Sequence, residues 1–89
     1  MVEKEVEVVN RAGIHTRPAS AIVKLTSKFK SEVQIIRDGF TINGKSIIGV
    51  MTLAAEQGSR LMLRIEGEDE EQCFQAMDEL FKSGFGEEI

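Results

Sequence analysis

Val33-Gln34-Ile35-Ile36-Arg37-Asp38-Gly39-Phe40-Thr41-Ile42-Asn43-Gly44-Lys45-Ser46 can be read in two ways, and the choice decides the fold. From Gly39 to Ser46 the stretch satisfies the phosphate-loop pattern G-x-x-x-x-G-K-[ST] letter for letter, a pattern that belongs to parallel nucleotide-binding sheets. By periodicity, Val33 and Ile35 alternate with polar neighbours, Asp38-Gly39 suits a tight hairpin turn, and Phe40 and Ile42 resume the alternation. The hairpin reading prevails. A backbone in strand geometry cannot wrap its amides around phosphates, and 89 residues scarcely accommodate a parallel sheet with a separate magnesium-binding acid.

The flanking segments follow the same local rules. Val2, Val6 and Val8 alternate with Glu3, Glu5 and Glu7, which predicts a strand over about residues 2 to 9, broken by Asn10 through Gly13. Thr16 is a candidate N-cap, Pro18 is tolerated in a first turn, and Ala19, Ile22, Val23 and Phe29 recur at helical spacing, giving a helix over about 16 to 28. Ser46 is placed to cap a short helix over 47 to 53 that ends before Gln57-Gly58. Leu61, Leu63 and Ile65 alternate with Arg60, Met62 and Arg64 as a further strand. After Gly67, acidic residues 68 to 71 suit a helix start, and Cys73, Phe74, Met77, Leu80 and Phe81 form its apolar stripe up to Gly84. The order β-α-β-β-α-β-α predicts an α+β open-faced β-sandwich: one domain over residues 1–89, with a four-stranded, mainly antiparallel sheet and three helices on one face.

Composition narrows the function. The net charge of −4 argues against nucleic acid as the main partner, no apolar run approaches membrane-spanning length, and the amino terminus lacks the pattern of an export signal. A protein retained in the cytoplasm is expected. Residues 10 to 48 nevertheless carry a local charge of +5, against −9 for the remainder, so the surface around that segment is suited to acidic partners or phosphate groups. One histidine and one cysteine exclude a two-His metal helix, an internal disulfide and a Cys-only metal site. No metal and no cofactor are expected, and Cys73 reads as a core residue.

The remaining chemistry lies in Gly13-Ile14-His15-Thr16-Arg17-Pro18-Ala19, where a strand gives way to a helix. A helix start disfavours imidazolium, leaves a ring lone pair available for attack, and stabilises an added phosphate through free N–H groups and the dipole. Arg17 adds a permanent cation able to contact phosphoryl oxygens. Pro18 stiffens the turn that aims both groups, and Gly13 is expected to leave room for a partner to approach.

Together with Lys45-Ser46-Ile47-Ile48-Gly49-Val50-Met51 and the chain length, this segment closely resembles the HPr family, the histidine-containing phosphocarriers of the bacterial phosphoenolpyruvate sugar phosphotransferase system. The resemblance covers essentially the whole chain. It implies that Enzyme I phosphorylates His15 at Nδ1, that IIA domains of sugar permeases receive the group, and that Arg17 assists both transfers. By the same resemblance the protein is a substrate of its partners and not an enzyme, and a monomer is expected. Ser46 matches a serine phosphorylated by HPr kinase/phosphorylase, a modification that can recruit a transcriptional regulator. Such a phosphate gains from the dipole of the helix it caps and places negative charge in the docking surface.

Ile47, Ile48, Val50, Met51 and Leu53 are too many apolar residues for one short helix to bury, which predicts an exposed docking patch. Thr16 and the basic rim of Lys24, Lys28 and Lys45 complete the expected partner-binding surface. Thr16 departs from the alanine commoner at that position, and Arg11 adds positive charge to the loop. Two rival readings are a regulatory paralogue of the nitrogen phosphotransferase type and a small α+β binding module without phosphoryl chemistry.

Overall fold

The structure, a computed structural model, describes residues 1–89. Seven main elements follow in order: β1 (Val2–Glu7), α1 (Thr16–Thr26), β2 (Glu32–Arg37), β3 (Phe40–Asn43), α2 (Ile47–Thr52), β4 (Arg60–Glu66) and α3 (Glu70–Lys82). A single 3-10 turn, Gly84–Gly86, precedes the C-terminal tail. The sheet runs β1-β4-β2-β3 with every neighbouring pair antiparallel. The open-faced α+β sandwich expected from the alternation is the fold found, with its first strand and first helix each ending two residues earlier than the periodicity suggested.

Pairing of Val2 with Ile65, Val6 with Leu61, and Ile35 with both Leu63 and Ile42 puts one aliphatic stripe on the same side of the sheet. Ala19 and Ile22 of α1, Val50 of α2 and Cys73, Met77 and Phe81 of α3 close over that stripe, each essentially without solvent contact. Lys4 occupies the register slot between Val2 and Val6 but stays exposed; its ammonium extends to 5.1 Å from the centre of the Phe74 ring, within range of cation–π attraction.

The hairpin is settled at Asp38 and Gly39, whose φ values of 48° and 84° are the left-handed pair that a two-residue turn of matching twist requires. No phosphate loop exists. Phe40–Asn43 pairs with β2, the Gly44 N–H donates to Val33 O, Lys45 Nζ donates to Phe29 O at 2.8 Å, and Ser46 is spent on capping α2. The opposite face of the sheet, free of helices, carries Glu3 paired to Arg64 and Glu5 paired to Arg60.

Candidate functional site

The loop ahead of α1 is set by a close backbone approach. Ile14 is buried and its N–H donates to Ala55 O at 2.8 Å, pinning the loop to the segment that follows α2. Gly13 makes this possible with φ at 75°, and a Cβ at that position would sit 2.5 Å from Ala55 O. The glycine is therefore required for packing inside the chain, and the expectation that it clears space for a partner is corrected. Pro18 and Ala19, both buried, fix the other side of the loop.

His15 stands between these anchors with its backbone extended and its side chain 44% exposed. It occupies the N-cap position of α1 but makes no side-chain capping bond. Thr16, expected to be the cap, is instead the first helical residue, because the extended backbone and first helical carbonyl both belong to His15. The first turn leaves the N–H groups of Thr16 and Arg17 without intrahelical acceptors, and Pro18 has none to leave. Those donors and the helix dipole make the surface beside the imidazole receptive to an anion.

Arg17 lies exposed in the same shallow depression, of about 410 Å³, bounded also by Arg11, Ala12, Glu87 and Glu88. Arg11 is committed to Glu88 at 2.9 Å, whereas Arg17 makes no ion pair or hydrogen bond within the chain. It is the uncommitted cation of the site.

The carboxylates were not found by sequence reasoning. Glu87 lies 3.0 Å from His15 Nε2 through one oxygen and 3.1 Å through the other, and it also accepts the side-chain amide of Asn10 at 3.1 Å. The His15 hydrogen bond, then the Asn10 amide and the nearby charges of His15 and Arg17, hold the Glu87 carboxyl below the usual range. The tail is anchored separately by the Arg11 N–H donating to Glu88 O. No periodicity or short motif links residue 87 to residue 15; the contact exists only once the chain ends are brought together.

The second region centres on α2. Ser46 Oγ accepts the Gly49 N–H at 3.1 Å, the cap expected of it. Val50 and Leu53 are buried, while Ile48 is 77% exposed and Ile47 and Met51 are 41% exposed, so the helix does present an apolar patch outward. Lys24 and Lys28 are exposed on or just after α1. Lys45 is half-buried with its ammonium on Phe29 O, which removes it from a freely moving basic rim.

The one cysteine offers no reactive thiol at the surface. Cys73 is fully enclosed by the core, and burial pushes its thiol up to about 11. No three His, Cys, Asp or Glu side chains converge on a metal position, and no helix is long and apolar enough to cross a membrane.

Comparison with known proteins converges on one family. Residues 2–83 match the family model described as the PTS HPr component phosphorylation site. The chain is 49% identical over 88 residues to the phosphocarrier protein HPr of Treponema pallidum, covering 99% of this chain and 100% of the relative. It also superposes on the crystal structure of an HPr from Thermoanaerobacter tengcongensis with a TM-score of 0.95, at 42% identity and full coverage of both chains. A dimeric HPr from the same organism aligns with a TM-score of 0.79 at 41% identity, covering 98% of this chain and all of that one. The monomer expected from the resemblance is thus not a general property of these relatives.

Proposed function

The chain belongs to the HPr family of phosphotransferase-system phosphocarriers, and from that premise we propose that it accepts a phosphoryl group on His15 from phospho-Enzyme I and delivers it to IIA domains of sugar permeases. It is a carrier and not a catalyst, so the partners' active sites contribute most of the barrier lowering. One observation carries the assignment to this residue: a half-exposed imidazole at a helix start shares its depression with a cation that has no other partner.

Transfer is assigned to Nδ1, the ring nitrogen that Glu87 does not engage. The arriving phosphoryl oxygens take hydrogen bonds from Arg17 and the open N–H groups of the first turn of α1, charge-assisted contacts that strengthen as negative charge arrives. Ile47, Ile48 and Met51, with Thr16 and Lys24 alongside, form the face on which Enzyme I and IIA domains alternate. This exchange places the protein in the cytoplasm.

Ser46 is assigned as the regulatory site of HPr kinase/phosphorylase. Its hydroxyl already sits at the start of α2, where a phosphate meets free N–H groups, and the added charge of about −1.5 to −2 lies beside the apolar docking residues. Engagement of Enzyme I is thereby hindered, while a transcriptional regulator can read the modified form.

Incubation with phosphoenolpyruvate and Enzyme I tests the carrier role. An acid-labile, base-stable phosphate that disappears in His15→Ala is expected, and the absence of any label overturns the reading. With ATP and HPr kinase, an acid-stable phosphate is expected on Ser46; label that persists in Ser46→Ala refutes that assignment.

A further inference from the structure

We propose that Glu87, held in place by Asn10, is a positioning residue for phosphoryl transfer at His15, an inference that rests on the carrier reading above. Three side chains from opposite ends of the chain form a line: the Asn10 amide to the Glu87 carboxylate to His15 Nε2.

Asn10 is fully buried, and Nδ2 donates both to Gly13 O at 2.9 Å and to Glu87 Oε1 at 3.1 Å. Both partners accept only, so the orientation of the amide is fixed and both of its protons are used. Its Oδ1 is buried with no partner. The two donors of Asn10 thus tie the backbone of the loop at Gly13 to the carboxylate of the tail. That carboxylate belongs to a side chain only 13% exposed, facing an imidazole that is 44% exposed.

An ionised carboxylate is an acceptor only, so the proton between Glu87 and the ring resides on Nε2, and the tautomer with its lone pair on Nδ1 is the nucleophilic form that this contact selects. During acceptance, the Nδ1 lone pair forms the bond to phosphorus while the bond from phosphorus to the donor breaks, its electron pair leaving with the donor. The ring keeps its Nε2 proton and becomes a positively charged phosphoimidazolium facing Glu87. In delivery a nucleophile of the acceptor domain forms the new bond to phosphorus while the P–Nδ1 electron pair returns to the ring. No proton has to enter or leave the imidazole in either direction, so the carboxylate both orients the nucleophile and balances the charge that appears on it.

The test compares wild type, Glu87→Gln and Asn10→Ser. Glu87→Gln retains the tail, which Arg11 secures through Glu88 independently. The expected result is a fall of about tenfold in kcat for phosphorylation by Enzyme I at unchanged KM, as for loss of a carboxylate behind a reacting histidine. Nitrogen-15 NMR is expected to show a protected His15 Nε2–H in wild type that loses protection in Glu87→Gln, with Asn10→Ser moving both readouts the same way. Unchanged kcat with an unchanged Nε2–H overturns the proposal, as does a rise in KM alone, which would make Glu87 a docking residue. Should Asn10→Ser fail to fold, Glu87→Gln decides alone. If Enzyme I fails to label even wild type, the carrier reading is what has failed, and the NMR comparison still reports on the contact.

Discussion

The carboxylate of Asp69, at the N-cap position of α3, accepts both the hydroxyl and the backbone N–H of Ser31, together with the Lys30 N–H. This tie joins the entrance of β2 to the start of α3, where Gly67 passes so close to Ser31 that a Cβ would lie 2.6 Å from its Cα.

The Ser31 hydroxyl, followed by the Lys30 and Ser31 N–H groups, holds the Asp69 carboxyl below its ordinary value. A carboxyl depressed by folding contributes fully above its unfolded value of about 3.9, and the contribution disappears as pH falls through the lower folded value. The urea midpoint is expected to decline on acidification below about pH 5, and Asp69→Asn to flatten that decline while lowering stability at neutral pH. Denaturation curves of both proteins between pH 3 and 7 check this; equal slopes in the acid limb count against it.

Ser46 separates capping from charge. Ser46→Ala removes the acceptor for the Gly49 N–H and is expected to destabilise by about 1 kcal/mol. Ser46→Asp keeps an acceptor at the cap, so its stability stays near wild type, while its fixed charge raises the KM for Enzyme I about tenfold. Thermal melts and steady-state transfer assays, run on both variants, resolve the two effects.

On α2, opposite faces have different duties. Ile48→Glu, at a side chain 77% exposed, is expected to shift stability by less than about 0.5 kcal/mol yet weaken Enzyme I binding about tenfold. Val50→Ala, at a fully buried position, is expected to lose about 2 kcal/mol of stability with binding by the folded protein unchanged. Calorimetric titration with Enzyme I beside urea denaturation checks the pair; reversal of the two patterns would mean that the exposed ridge is not the docking face.

Gly13→Ala and Gly39→Ala compare two glycines with similar backbones and different surroundings. At Gly39, φ 84° with nothing near a Cβ, alanine is expected to cost about 1 kcal/mol through left-handed strain alone. At Gly13 the same strain meets the Ala55 carbonyl and disturbs the Ile14–Ala55 hydrogen bond, so a loss of about 2–4 kcal/mol is expected. Equal losses in chemical denaturation would remove the close-approach argument.

Features encoded within a few residues were readable from the sequence. Asp38-Gly39 between alternating segments specifies its hairpin, and Ser46 ahead of an apolar run specifies its cap, because turn and cap chemistry act over two to four residues. His15 was legible as a side chain at the junction of loop and helix, but the cap was placed one residue late, since Thr16 has the better capping side chain and nothing local reveals which backbone is extended. The reason for Gly13 lies at Ala55, and the partner of His15 lies at Glu87. Neither distant contact leaves a periodic trace. Lys45 shows the same limit, since a flexible side chain's endpoint depends on where Phe29 O comes to rest.

The ion pairs across the uncovered side of the sheet, Glu3 with Arg64 and Glu5 with Arg60, give the molecule a non-adhesive back. These four charges are each matched by a neighbour of opposite sign, so little net field from them reaches an approaching protein. A shuttle visiting one partner after another gains from being sticky on one side only: wrong-way encounters end quickly, and release is never delayed by a second grip.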